Sequence, residues 1–73
     1  MKKSYKLDNL GCANCAARME DDINKIDGVD KAQVVFMTSK LKIETSSNDI
    51  ETILNEAQRI ITSYEEDCVI LGR

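Results

Sequence analysis

An α+β sandwich, with two helices covering one face of a four-stranded antiparallel sheet, is the fold class that this 73-residue sequence predicts. Two observations lead there. Apolar residues alternate with polar ones in four short stretches and recur every three or four positions in two others, and these stretches follow one another in the order β-α-β-β-α-β. No internal repeat, low-complexity tract or linker composition interrupts the chain, so residues 1–73 are read as a single domain.

The first stretch, Lys2 to Leu7, sets Tyr5 and Leu7 on one face of a half-buried strand. From Cys15 onward the period lengthens, and Ala16, Met19, Ile23 and Ile26 form one face of a helix that Asp27-Gly28 ends. Ala32, Val34 and Phe36 alternate as a second strand, and Leu41 and Ile43 as a third, joined as a hairpin through Met37-Thr38-Ser39. Asn48 with Glu51 three residues later has the pattern of an N-cap and its reciprocal carboxylate. Ile50, Ile53, Leu54, Ala57, Ile60 and Ile61 supply the apolar stripe of the helix behind it. Asp67 to Leu71, apolar and β-prone, closes the pattern as a fourth strand. This order is that of a ferredoxin-like βαββαβ sandwich. If the elements alternate in direction, residues near 10 to 15, 37 to 39 and 62 to 66 share one end of the molecule.

A chain this short buries only a modest core and leaves little room for an enclosed catalytic cleft, so no enzymatic activity is expected of it. Net charge of −3 and a single Phe, two Tyr and no Trp exclude a nucleic-acid partner, which needs clustered cations or stacking aromatics. No apolar run approaches the twenty residues of a membrane span, and Met1-Lys2-Lys3 leads into alternation rather than a signal segment. A cytoplasmic monomer without direct membrane contact is the expectation, and the cytosolic domain of a membrane transporter fits it equally.

Three cysteines is an odd number, and two of them, in Cys12-Ala13-Asn14-Cys15, lie three positions apart, unlike the spaced framework of a disulfide-stapled domain. That spacing straddles a loop and the first turn of a helix, where both sulfurs can converge on one point. Unpaired N–H groups and the positive end of the helix dipole there favour thiolate over thiol. Thiolates are soft donors that select Cu(I), Zn(II), Cd(II) or Pb(II) over hard cations. With no His and only one further Cys, the site is too sparse for closed structural zinc, and an incomplete site can exchange its ion. Cu(I) is satisfied by two sulfurs, whereas Zn(II) or Cd(II) would recruit Asp8, Glu65, water or a partner's ligand.

Leu10-Gly11-Cys12-Ala13-Asn14-Cys15-Ala16, with Gly28-Val29 after the first helix, resembles the heavy-metal-associated domain, and the resemblance covers nearly the whole chain. It implies that Cys12 and Cys15 hold the ion. It also implies either a free metallochaperone or the amino-terminal module of a metal-pumping P-type ATPase, with a cognate transport protein or metallochaperone domain as partner. The family commonly has Met where this chain has Leu10, which can still serve as a buried apolar tether, and Thr or Asp where it has Gly11. Gly11 lacks the oxygen donor of some zinc-pump modules, although Cys-Ala-Asn-Cys-Ala itself resembles zinc, cadmium and lead pumps. The resemblance further suggests that Tyr64 shields or hydrogen-bonds near the metal, beside a plain packing role.

Cys68 reads as a mid-strand core residue distant from the motif, and Met19 as core; Met37 stays open between packing and a thioether ligand. Glu65, Glu66 and Asp67 read as solvated loop charge, and Glu20, Asp21 and Asp22 as an acidic turn that could steer a basic partner. The rival function is a thiol-disulfide redox protein, because Cys-x-x-Cys at a helix start also lowers a cysteine pKa. The chain has no proline to supply the cis-Pro that thioredoxin-like enzymes usually set opposite their disulfide.

Overall fold

The computed structural model describes residues 2–72 and has the expected order: β1 (Lys2–Asp8), α1 (Ala13–Ile23), β2 (Lys31–Val35), β3 (Lys40–Glu44), α2 (Ile50–Tyr64) and β4 (Val69–Leu71). The strands form one antiparallel sheet in the order β2-β3-β1-β4, with β1 paired to β3 through Tyr5 and Leu41 and to β4 through Leu7 and Ile70. Both helices cover the inward face, and the core lies between the layers: Leu7, Leu41, Ile43 and Ile70 from the sheet, Met19 and Ile23 from α1, and Ile53, Leu54 and Ile61 from α2. Each large aliphatic side chain buried this way contributes about 1.5–3 kcal/mol.

Several element boundaries differ from the sequence reading. Helix α1 begins at Ala13 with Cys12 as its N-cap, and stops at Ile23. The stop comes early because the Asn24 side chain donates to the carbonyls of Glu20 and Ala32 and accepts from the Ala32 N–H, tying the helix end to β2. Ile26 still packs on the core, from the turn that follows. The N-cap of α2 is Asp49 rather than Asn48, its carboxylate accepting from the Thr52 N–H at 3.4 Å. The cap sits one residue later because buried Thr45 accepts from the Ser47 N–H and the Ser47 hydroxyl from the Asp49 N–H, so the approach to the helix is set by side-chain turns.

Strand β2 ends at Val35, so Phe36 belongs to the four-residue hairpin loop and is 38% exposed. Strand β4 spans only Val69–Leu71, because the Cys68 N–H is engaged in a turn with the Glu65 carbonyl. Cys68 therefore precedes the strand, and β4 starts beside Asp8, at the motif end of the sheet. This corrects the reading that Cys68 is distant from the motif; that it is core is right, for it is fully buried.

The three loops expected at one end do meet there. The Leu7 N–H donates to the Ser39 carbonyl at 2.7 Å, joining β1 to the hairpin loop. The Asn9 side chain donates to the Asp67 carbonyl at 3.1 Å, joining the motif loop to the turn before β4. Asn9 has φ +62, a left-handed conformation that asparagine tolerates better than most residues.

Candidate metal centre

Cys12 and Cys15 occupy the N-cap and third positions of α1, and both are partly exposed. Cys12 has extended backbone dihedrals, which turn its side chain back over the open end of the helix, and its Sγ accepts a hydrogen bond from the Cys15 N–H at 3.2 Å. The sulfur thus stands where a Ser or Asp oxygen caps an ordinary helix, against N–H groups that favour an anion.

The two thiols titrate as a pair. Cys12 is held below its ordinary value of 9.0, first by the hydrogen bond from the Cys15 side chain and then by the Cys15 N–H. Cys15 is raised, chiefly because its side chain donates to the Cys12 sulfur, with partial desolvation and the negative charges of Cys12 and Glu65 adding to the effect. The hydrogen bond between the sulfurs thus makes Cys12 the readier thiolate of the two. A soft cation held here would take the place of the sulfur-bound protons and meet two thiolates on one side and solvent on the other.

Glu65, the C-cap residue of α2, closes over the motif loop. Its two carboxylate oxygens accept from the Gly11 N–H at 3.2 and 3.3 Å, and its charge raises both motif cysteines and Cys68. Among the described residues no three His, Cys, Asp or Glu side chains are gathered into a ready set of metal ligands, so the dithiol itself is the preformed part. Asp8 ends β1 opposite Val69, alternating with inward Leu7 and therefore on the outward side of the sheet. Leu10 is partly buried against the core, anchoring the loop one residue before Gly11. At Gly11 an added Cβ would lie 3.7 Å from a Glu65 oxygen, an ordinary contact, so space alone does not require glycine.

The Tyr64 hydroxyl is engaged away from the cysteines: it donates to the Asp22 carboxylate, which raises its pKa by accepting from the phenol and repelling the phenolate. Asp22 is seven residues beyond Cys15, roughly 10 Å along the helix axis. The hydroxyl thereby ties α1 to α2, the facing helix offering it a charged acceptor. Burial pushes the Cys68 thiol up to about 11, with the negative charges of Glu65 and Asp8 adding to the effect. It is the protonated counterpart of the exposed pair.

Arg18 was not singled out in the sequence, although its spacing from Cys15 is a one-turn signal. Its charge lowers the Cys15 pKa, opposing the acidic neighbours. Met37 is 91% exposed at the hairpin tip and makes no packing contribution to the core.

A heavy-metal-associated domain model matches residues 4–65, and the chain belongs to that family. It is 48% identical over 44 residues to a cadmium, zinc and cobalt-transporting ATPase of Helicobacter pylori, a match that covers 60% of this chain and 6% of that protein. It is 28% identical over 65 residues to the Bacillus subtilis protein of the same description, covering 89% of this chain and 9% of that one. The chain therefore spans less than a tenth of the length of these relatives. Among solved structures, a CopZ metallochaperone superposes with a TM-score of 0.70 at 17% identity over 97% of this chain and 100% of its own, a likeness of fold. No helix among the described residues is long and apolar enough to cross a membrane.

Proposed function

We propose that this domain binds a soft metal ion, Zn(II), Cd(II), Pb(II) or Cu(I), through the Cys12 and Cys15 thiolates, and passes it to or from a cognate transport protein or metallochaperone domain. The observation that carries this is the Cys12 sulfur capping α1 with the Cys15 N–H at 3.2 Å, both thiols open to a partner. The cadmium, zinc and cobalt cargo of its sequence relatives favours the divalent ions, and so does a carboxylate within reach of the loop, Glu65. The domain works in the cytoplasm, as a free metallochaperone or as the amino-terminal module of a metal-transporting P-type ATPase.

Transfer proceeds by ligand substitution. A partner's thiolate enters the solvent-facing side of the ion, a three-coordinate intermediate forms, and the ion leaves one Cys at a time while never free. The displaced sulfurs recover the protons that the ion had replaced, so no general acid, base or covalent intermediate is needed.

Competitive titration of Cu(I), Zn(II) and Cd(II) into the reduced protein, with X-ray absorption on each loaded form, tests the reading. Two-sulfur binding at one equivalent supports it, and oxygen donors in the Zn(II) or Cd(II) shell that disappear in Glu65→Gln support a divalent cargo. A protein that takes up none of these ions, yet cycles its dithiol at a potential near those of oxidoreductases, would be the redox protein instead.

A further inference from the structure

The sheet strands and the rest of the molecule carry opposite charge. Strands β1 to β3 hold six lysines against Asp8 and Glu44, while the rest of this net-negative chain holds eleven acidic residues against four basic ones. Strand alternation sends Leu7, Ala32, Val34, Leu41 and Ile43 inward, which places Lys2, Lys6, Lys31, Lys40 and Lys42 on the outward face. Only Lys2 has an ion-pair partner among the described residues, Glu44 at 3.2 Å. Lys6 and Lys40 stand directly opposite each other in the β1–β3 register, an arrangement of like charges that works against the sheet.

We propose that this lysine face is a docking surface for an anionic lipid bilayer, on which the domain lies peripherally without inserting. Two features select that occupant. All the cations of strands β1 to β3 are lysines, while Arg18 and Arg59 lie in the helices, so the face supplies diffuse positive potential rather than forks for protein carboxylates. Val69 and Leu71, 40% and 42% exposed on the same outward side, give an aliphatic rim at headgroup level.

The net charge of −3 does not defeat this. The molecule extends at least 18 Å along every principal axis, about two Debye lengths at physiological salt, so the acidic helical side is largely screened from a surface the sheet touches. The expectation of no membrane contact weighed only apolar spans, and a cationic sheet needs none. Lying this way would leave the thiol end at the margin of the contact, since the motif follows the end of β1.

Sedimentation of the reduced, metal-free protein with phosphatidylglycerol-containing vesicles tests it independently of metal binding, so that failure here leaves the proposed function standing. Binding is expected at about 0.1 M salt, is released at about 1 M, and is absent with pure phosphatidylcholine. Lys6→Glu with Lys42→Glu lowers the partition coefficient at least about tenfold. Lys25→Glu with Arg59→Glu, the same change in net charge off the sheet, retains binding. Lys31→Gln with Lys40→Gln is a second face variant should the first pair fail to fold. No uptake by anionic vesicles, equal loss in face and off-face variants, or retention on immobilised polyglutamate without vesicle binding overturns the proposal.

Discussion

The two helices begin in the same way with different atoms. Asp49 caps α2 with a carboxylate oxygen that accepts from the N–H three residues on, at 3.4 Å; Cys12 caps α1 with a sulfur that accepts from the N–H three residues on, at 3.2 Å. The geometry asks only for an acceptor with partial or full negative charge. At α2 that demand is met by a hard anion at neutral pH, and the cap is structural. At α1 it is met by a soft group that is anionic only when something stabilises it, and the next sulfur one turn on shares the stabilisation. What separates a cap from a metal centre here is donor chemistry and the second thiol, not backbone geometry.

The comparison breaks most sharply with Cys12→Ser. Serine keeps the cap and removes the soft donor, so Cd(II) or Cu(I) affinity in chelator competition should fall by more than about a hundredfold while the thermal midpoint stays within a few degrees. A midpoint that collapses with the affinity would mean that the sulfur has a structural role a cap does not explain. Alkylation of the metal-free protein should come next in size: iodoacetamide marks Cys12 first and Cys15 second, and reaches Cys68 only on unfolding, because that thiol is buried and held up to about 11. Peptide mass mapping over time reads the order.

The pH dependence sharpens the pair further. Binding an ion displaces two protons below the lowered pKa of Cys12, one between that and the raised pKa of Cys15, and none above it. Apparent affinity should therefore rise with pH, by about a hundredfold per unit at the acid end and tenfold per unit in the middle range. A flat profile across neutral pH would contradict the raised pKa of Cys15. Stability carries the opposite sign at Cys68: its folded value is raised from 9.0 to about 11, so its contribution is whole below 9 and is lost as pH rises toward 11. Smallest of all, Asp49→Ala should cost about 1 kcal/mol in urea unfolding and leave metal affinity untouched.

Much of the candidate site was legible because it is local. Cys12 and Cys15 lie within one helical turn, so their spacing already carried their convergence, and the apolar period that follows showed where the helix runs. Glu65 and Asp8 were picked as oxygen donors by residue type; only the fold set the Glu65 carboxylate on the Gly11 N–H, fifty-four residues away in sequence. Tyr64 was legible as a residue of the motif end, but its hydroxyl is claimed by Asp22 from the other helix, a competition that no reading of one segment reveals. Cys68 was misplaced along its strand because a turn hydrogen bond, not its β-prone neighbours, decides where β4 starts.

By itself the sequence determined the six elements, the faces they bury and the soft-metal chemistry of the motif, since each depends on residue type and on spacing within a few positions. Tertiary structure decided where helices stop, as at Asn24, and which carboxylate guards the thiols. It also turned five lysines scattered over three strands into one face, with Asp8 and Glu44 as the acidic residues of those strands. Those outcomes depend on groups far apart in the chain competing for the same hydrogen bond or sharing the same side of a sheet, and only packing brings such groups together.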